Sequence, residues 1–459
     1  MNSATIARPE ISSRCESLLG AQFVLNDTAE RERYTIDGVS PQVILRPENA
    51  EQIAATLRVA NEENWVVVPF GGGTRQDVGH APERVDVVLS IERLNRIEAY
   101  DPGDLTISLQ AGANLSQIIG KCAEHRQLLP LEVPDGATVG GALAAAESGP
   151  LRAGFGAVRD FCIGVSFITG DGMSGRGGGR VVKNVAGYDL MKLMIGSCGS
   201  LGVIVSANFK LFPLPQQTIT CICEFELLSE AIALRDWLLK SPLSPIAAEI
   251  LNPPALEYLR DTEVRDPDEW APETPGVARK AQWQMAIRFA GSDRVLARCR
   301  RELRSSMSRE LNGSDEADFW KRFAGFEQRV AARHRNAMIF HVNVPIAESQ
   351  AALEAARVAA VDYNFLAAIV GRATVGSFVI AFAPLAIDPP AVTQFASAAS
   401  DFRSLLSKSS SALVVRCPRE AKQHFDVWGS TPTDIELMQK VKRALDPKGI
   451  LNRGRFLVA

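Results

Sequence analysis

The fold is decided by Trp65-Val66-Val67-Val68-Pro69-Phe70-Gly71-Gly72-Gly73-Thr74-Arg75. Four apolar residues, three of them β-branched, suit a buried strand, and Pro69 brings it to an end. Three glycines follow at once. Without a Cβ they let the backbone approach a ligand closely, and they permit positive φ where amides must converge. Successive N–H groups in such a concavity hold phosphate oxygens with no charged side chain. Thr74 can add a hydroxyl donor, and Arg75 can add charge or face water. Gly-Gly-Gly-Thr also occurs in plain turns, so this loop alone leaves a phosphate site and a tight turn both open.

A second small-residue cluster reads Pro134-Asp135-Gly136-Ala137-Thr138-Val139-Gly140-Gly141-Ala142-Leu143-Ala144-Ala145-Ala146. Thr138 suits the cap of a helix whose first turn carries Gly140 and Gly141. Such a start either offers amides and a positive dipole end to an anion, or lets helix and strand pack closely. A diphosphate needs contacts on both sides, so the two clusters reinforce each other. No Gly-x-Gly-x-x-Gly opens a helix after an N-terminal strand with an acidic residue at the fingerprint spacing, and no Gly-x-x-x-x-Gly-Lys-[Ser/Thr] occurs. Rossmann and P-loop frames are therefore not expected.

Outward from these clusters, the 459 residues have room for roughly three average domains. Hydrophobic residues at 46% and charged residues at 22% exclude wholesale disorder. A net charge of −3 gives no electrostatic reason to expect nucleic acid. No apolar run approaches the roughly 18 residues of a membrane-spanning helix, and residues 1–14 lack the apolar core of a secretory signal. Eight cysteines are scattered, and the one close pair, Cys221-Ile222-Cys223, lies in a strand-like run. Nothing stands at zinc or iron–sulfur spacing, so buried reduced thiols, a cytoplasmic setting and no metal are expected.

Glycine clusters alternate with periodic segments up to residue 212. Helices are expected over 49–61 and 114–125, and strands over 65–68, 105–110, 165–169 and 201–211. Phe212-Pro213-Leu214-Pro215 reads as a boundary. Beyond it, strands are expected over 218–226, 282–289, 337–344 and 377–382, with helices over 229–239 and 349–360. The charged, proline-marked stretch 261–274 reads as a surface insertion. The fold class is α+β, divided into 1–214, 215–417 and a tail, 418–459, that returns to the first part.

Pro69 to Thr74, Thr138-Val139-Gly140-Gly141 and Gly170-Asp171-Gly172 stand in the order seen in flavoproteins of the vanillyl-alcohol oxidase and p-cresol methylhydroxylase type, which the chain resembles. Arg180-Val181-Val182-Lys183-Asn184-Val185-Ala186-Gly187-Tyr188-Asp189-Leu190 and Gly199-Ser200-Leu201-Gly202-Val203-Ile204 bring it nearer to the FAD-binding E subunit of bacterial glycolate oxidases. Cys198 points the same way, since the dehydrogenase relatives often carry Glu there. The tail Asp446-Pro447-Lys448-Gly449-Ile450-Leu451-Asn452-Arg453-Gly454-Arg455 matches that family's closing motif, with Arg453 where proline is usual.

The resemblance implies a two-part FAD-binding domain, an antiparallel α+β second domain, and a diphosphate between the Gly71 loop and the Thr138–Gly141 turn. It implies FAD contacts from Pro69, Phe70, Gly71, Gly72, Gly73, Thr74 and Arg75, and from Pro134, Thr138, Val139, Gly140 and Gly141. Gly154, Gly156, Asp160, Gly202, Val203 and Ile204 would line the rest, and Asn452 would approach the flavin ring. Covalent attachment in that superfamily uses a histidine; Phe70 occupies the neighbourhood and His80 lies beyond it, so non-covalent FAD is expected. The implied activity is oxidation of a small 2-hydroxy acid, glycolate to glyoxylate. Electrons would pass to a catalytic flavin subunit and an iron–sulfur subunit, with any membrane contact peripheral and made through those partners.

Hydroxy-acid oxidation needs a cation for the carboxylate, a base or metal for the hydroxyl proton, and geometry that aims the α-hydrogen at the flavin. Catalytic relatives carry His-x-Gly-Asp-Gly-Asn, where this chain reads Phe340-His341-Val342-Asn343-Val344-Pro345. His341 is the base candidate, against a core histidine satisfied by its surroundings. Arg288 is the carboxylate candidate, against a strand-edge arginine in water. Two alternatives stay open beside the complex subunit: a flavin-binding module without its own hydroxy-acid chemistry, and a stand-alone D-lactate dehydrogenase.

Overall fold

The computed structural model describes residues 8–180, 188–260, 283–385 and 390–457. The motif residues Val181 to Gly187 and the insertion 261–274 lie outside them. The chain divides into two compact units, one formed by Met1–Glu147, Ala157–Leu214 and Ser430–Ala459, the other by Ser148–Gly156 and Pro215–Gly429.

In the first unit the helix expected at 49–61 runs Ala50–Glu63. The Asn49 side chain accepts from the Gln52 amide at its start, and Asn64 ends it at φ 59°, a left-handed conformation that Asn tolerates. Ile53, Leu57 and Ala60 recur on one face and are fully buried. This helix is the crossover that parallel strands require. It joins Val43–Leu45 to Val67–Phe70 in a four-stranded sheet ordered Val24–Leu25, Val43–Leu45, Val87–Ser90, Val67–Phe70. The last three strands run parallel. A second, antiparallel sheet orders Ile97–Asp101, Thr106–Gln110, Val203–Lys210, Cys162–Ile168 and Ser174–Gly178. Its three central strands are those expected from 105–110, 201–211 and 165–169. The helix Leu115–Glu124 starts at Asn114, whose side chain accepts from the Gln117 amide.

The tail completes this unit. Val67 donates its amide to the Ile450 carbonyl and accepts the Asn452 amide, both at 2.9 Å, so the tail covers the free edge of the strand that carries the glycine loop. The helix Ile435–Leu445 anchors it. Lys442 Nζ donates to Asp446 Oδ2 at 2.6 Å and to the Ser200 and Leu451 carbonyls at 2.8 and 3.1 Å. Asp446 also accepts the Ile450 and Leu451 amides. Both side chains are buried, at 3% and 0% exposure. Burial disfavours the lysine charge and pulls its pKa down, while Asp446 opposes the shift.

The second unit is an eight-stranded antiparallel sheet ordered Met307–Leu311, Gln217–Phe225, Trp283–Gly291, Ala247–Leu251, Phe365–Arg372, Ser377–Pro384, Met338–Asn343, Ser411–Arg416. Helices Leu228–Lys240 and Ser349–Asp362 occupy the segments expected to be helical. Four strands, Ala247–Leu251, Met307–Leu311, Phe365–Arg372 and Ser411–Arg416, were not expected from the sequence.

Two boundaries differ from the expected ones. The chain returns to the first unit at Ser430 rather than 418, because Cys417, Ala421 and Val427 pack in the second core. Residues 148–156 belong to the second unit, where the Gly154 amide donates to the Ile246 carbonyl. All eight cysteines are free thiols, seven of them buried. Among the described residues no helix is long and apolar enough to cross a membrane.

Removing one partner of a buried pair leaves the other charge stranded, at a cost of about 3–5 kcal/mol. Lys442→Met is expected to lower the unfolding free energy by about that amount in chemical denaturation. A loss under about 1 kcal/mol, the range of a surface pair, would contradict the anchoring role assigned to the lysine.

Candidate functional site

The glycine loop leaves Val67–Phe70 at the edge of its sheet, with the Phe70 carbonyl still accepting the Ile91 amide. Phe70 packs edge-on against Tyr34 at 4.8 Å. The loop then passes so close to the second cluster that side chains are excluded. A Cβ on Gly71 would lie 2.3 Å from Thr138 Oγ1, and one on Gly72 would lie 1.8 Å from the Gly136 carbonyl oxygen. Gly73 sits at φ +74°, which favours glycine. Among the described residues no group accepts a hydrogen bond from the Gly71, Gly72, Gly73 or Thr74 amides. Four consecutive amides of an exposed to half-buried loop thus have no acceptor in the protein, a set that suits the oxygens of a diphosphate.

The opposite wall is built differently. Thr138 caps the helix Val139–Ala144, accepting the Gly141 amide at 3.3 Å. The Val139 and Gly140 amides donate to the Ala113 and Ala111 carbonyls at 3.0 and 2.7 Å. The first three amides of this helix are therefore used within the protein. Gly140 is required by packing, since a Cβ there would lie 2.9 Å from Ala111 Cβ and 3.0 Å from Ile91 Cδ1. Pro134 opens the turn through its carbonyl, which accepts the Ala137 amide. The amides left without a partner are therefore those of the glycine loop and not those of this helix start.

Beyond the two walls, Gly196-Ser197-Cys198-Gly199 closes the far end of the same helix. Gly196 and Cys198 donate amides to the Leu143 and Ala144 carbonyls, the acceptors a helix end leaves open. Asn452 meets this loop, with Nδ2 donating to the Cys198 carbonyl at 2.7 Å. A Cβ on Gly199 would lie 3.1 Å from Asn452 Nδ2 and 3.4 Å from Pro69 Cγ. Burial raises the Cys198 thiol to about 11 and keeps it protonated. Arg455, which sequence reasoning passed over, is buried and donates to the Asn452 side chain at 3.2 Å, to the Gln76 carbonyl, and to the Val78 carbonyl at 3.0 Å. His80 lies beside it and donates its amide to the Arg455 carbonyl.

Other expected positions fall as follows. Gly202, Val203 and Ile204 enter the antiparallel sheet, with Val203 and Ile204 buried opposite Ile168 and Phe167. Asp160 accepts the Ala157 amide at 2.7 Å and caps the short helix Val158–Phe161. Gly154 and Gly156 lie in the second unit, where a Cβ on Gly154 would lie 2.8 Å from Ile246 Cα. Arg75 pairs with Glu147, another residue sequence reasoning passed over.

In the second unit, Arg288 Nε donates to buried Glu316 at 3.0 Å, and its guanidinium lies 5.6 Å from the Trp320 ring centre. Glu316 also accepts from Thr218 and Thr220 at 2.6 and 2.8 Å. His341 Nε2 lies 2.9 Å from Glu327 Oε1. The strands carrying Arg288 and His341 stand four positions apart in the sheet, about 19 Å at about 4.8 Å per strand. The sheet does not bring the two candidate catalytic side chains together. His334, whose neighbouring arginines suggest a solvated face, is half-buried 5.9 Å from the Tyr258 ring, and burial lowers its pKa to about 4.

Comparison with known proteins agrees with this frame. Residues 41–175 match the family model described as "FAD binding domain". Residues 214–408 and 421–456, just over half of the chain, match "FAD linked oxidases, C-terminal domain". The chain is 40% identical over 144 residues to glycolate oxidase subunit GlcE of Escherichia coli, covering 31% of this chain and 41% of that protein. It is 24% identical over 461 residues to mitochondrial D-lactate dehydrogenase [cytochrome] 1 of Saccharomyces cerevisiae, covering 97% and 77%. A crystal structure of p-cresol methylhydroxylase superposes with a TM-score of 0.78 at 16% identity, covering 99% of this chain and 98% of that one. The chain belongs to the FAD-linked oxidases, and is an FAD-dependent oxidoreductase with the p-cresol methylhydroxylase-type fold.

Proposed function

We propose that this chain is the FAD-binding subunit of a glycolate oxidase-type complex. In this reading it takes part in oxidising small 2-hydroxy acids, glycolate to glyoxylate, and exchanges electrons with a catalytic flavin subunit and an iron–sulfur subunit. The observation that carries the reading is the second unit, whose two candidate catalytic side chains are already engaged by Glu316 and Glu327 and stand four strands apart. The 40% identity to GlcE supports the same assignment. A second reading, a self-sufficient D-lactate-type dehydrogenase, draws on the near full-length similarity to the yeast enzyme.

FAD, when bound, supplies the acceptor for the two electrons removed from the hydroxy acid. The Gly71–Thr74 amides would hold its diphosphate, and the Gly136–Gly141 wall would keep water from the other side. The turn formed by Cys198, Gly199 and Asn452 would support the ring end. Attachment is non-covalent in this reading, since Phe70 stands beside the glycine loop where the superfamily's linking histidine is expected and His80 lies several residues beyond it.

Gly72→Val would push a side chain into the Gly136 carbonyl, and is expected to yield folded protein that purifies with little flavin. Full FAD occupancy in this variant would remove the diphosphate from this loop. Acid precipitation of the wild type should release all flavin to the supernatant, whereas yellow precipitate would mean a covalent bond. Anaerobic glycolate is expected to bleach the flavin absorbance near about 450 nm only after partner subunits are added. Bleaching of the isolated chain by D-lactate would favour the second reading.

A further inference from the structure

Arg75 leaves the glycine loop just as Glu147 leaves the helix Val139–Ala144, so each stands one short step from one wall of the cradle. The guanidinium Nε donates to Glu147 Oε1, and Nη2 donates to Oε2 at 3.1 Å, a two-point fork. Only 17% and 9% of the two side chains are exposed. Both ends of the pair are held firmly. The Glu147 amide donates to the Ala142 carbonyl at 2.8 Å, with Ala146 at φ 50° between them, so the carboxylate is fixed relative to the helix. On the other side, the Val78 amide returns to the Arg75 carbonyl at 3.3 Å, and Arg455 binds the carbonyls of Gln76 and Val78.

We propose that Arg75 and Glu147 form a charge clasp that sets the width of the gap between the glycine loop and the Pro134–Gly141 turn. Arg75 is then a positioning residue for the cofactor's diphosphate rather than one of its ligands. The inference rests on the placement of the diphosphate between these walls. Gly72 packs so near Gly136 that a Cβ would lie 1.8 Å from its carbonyl oxygen, so a shift of either wall would change where the Gly71–Thr74 amides stand relative to phosphate oxygens, which they bind only at hydrogen-bond distance. The fork has a defined geometry, and burial strengthens it beyond a surface pair. It also neutralises Arg75, leaving the grip on the anion to uncharged amides.

The clasp and a direct counter-ion role predict opposite behaviour for Glu147→Gln. Freed from Glu147, an arginine acting on phosphate would bind FAD as tightly as before or more tightly, whereas a broken clasp binds it less tightly. Flavin-free full-length protein is titrated with FAD and followed by quenching of flavin fluorescence. Arg75→Met and Glu147→Gln are each expected to raise the Kd about tenfold, a loss in keeping with a charge-assisted fork. Arg75→Lys, which keeps charge but not the fork, should fall between these and the wild type. The exchanged pair Arg75→Glu with Glu147→Arg should recover most of the affinity. Unchanged or tighter binding by Glu147→Gln overturns the clasp, as does an exchanged pair no better than the weaker single variant. A flavin-free melting temperature that falls in both single variants while their Kd stays at the wild-type value also overturns it, by making the pair merely structural. Gly72→Val tells these failures from a failure of the placement itself. If that variant keeps FAD the walls do not hold the diphosphate, and if it loses FAD while Arg75→Met and Glu147→Gln bind normally the clasp alone is wrong.

Discussion

The first unit depends on two stretches of chain that pass each other with no room for a side chain. A Cβ on Gly71 or Gly72 would collide with Thr138 Oγ1 or the Gly136 carbonyl oxygen, which keeps both positions bare. The amides of Gly71 to Thr74 have no acceptor among the described residues. The labour is divided, because the helix at Val139 spends its own first amides on Ala111, Ala113 and Thr138. An anion held here would be gripped by a loop and backed by a wall. The dipole of a helix whose opening donors are already satisfied adds little to such a grip.

Keeping such a loop in place takes support from distant parts of the chain. The strand that carries it would otherwise present an open edge, and the tail fills that edge through Val67. The tail is held in turn by Lys442 and Asp446, a buried pair whose desolvation is offset by four further main-chain hydrogen bonds. Arg455 extends the same logic, spending a buried guanidinium on the carbonyls of the segment that follows the glycines. Charge here serves to fix backbone.

Local signals carried much of this into the sequence. The periodicity of Ile53, Leu57 and Ala60, the asparagines flanking that helix, and Thr138 as a cap all act within a few residues, and they can be read without knowing the fold. The glycine loop is legible for the same reason, since few backbones need three glycines after a buried strand. Gly140 is less so: spacing alone could not separate an amide offered to a ligand from room made for Ala111 and Ile91. The strands Ala247–Leu251 and Phe365–Arg372 were missed because Ala-Ala-Glu-Ile-Leu and Leu-Ala-Ala-Ile-Val are rich in a good helix former, and neighbouring strands overrode that preference. Arg75 with Glu147, Arg288 with Glu316, and Arg455 with the loop were invisible, because each joins residues far apart in the chain through pairing that no local pattern encodes.

The tail also sets a timetable. Gln76 and Arg455 touch across 379 positions of the chain. At translation speeds of about 5–20 residues per second, roughly 20 to 80 seconds separate the two residues at the ribosome. Throughout that interval the nascent loop has its glycines but not the guanidinium and the edge strand that shape it. A nucleotide held by that loop would therefore meet the finished shape of its site only after the last residues of the tail had been made.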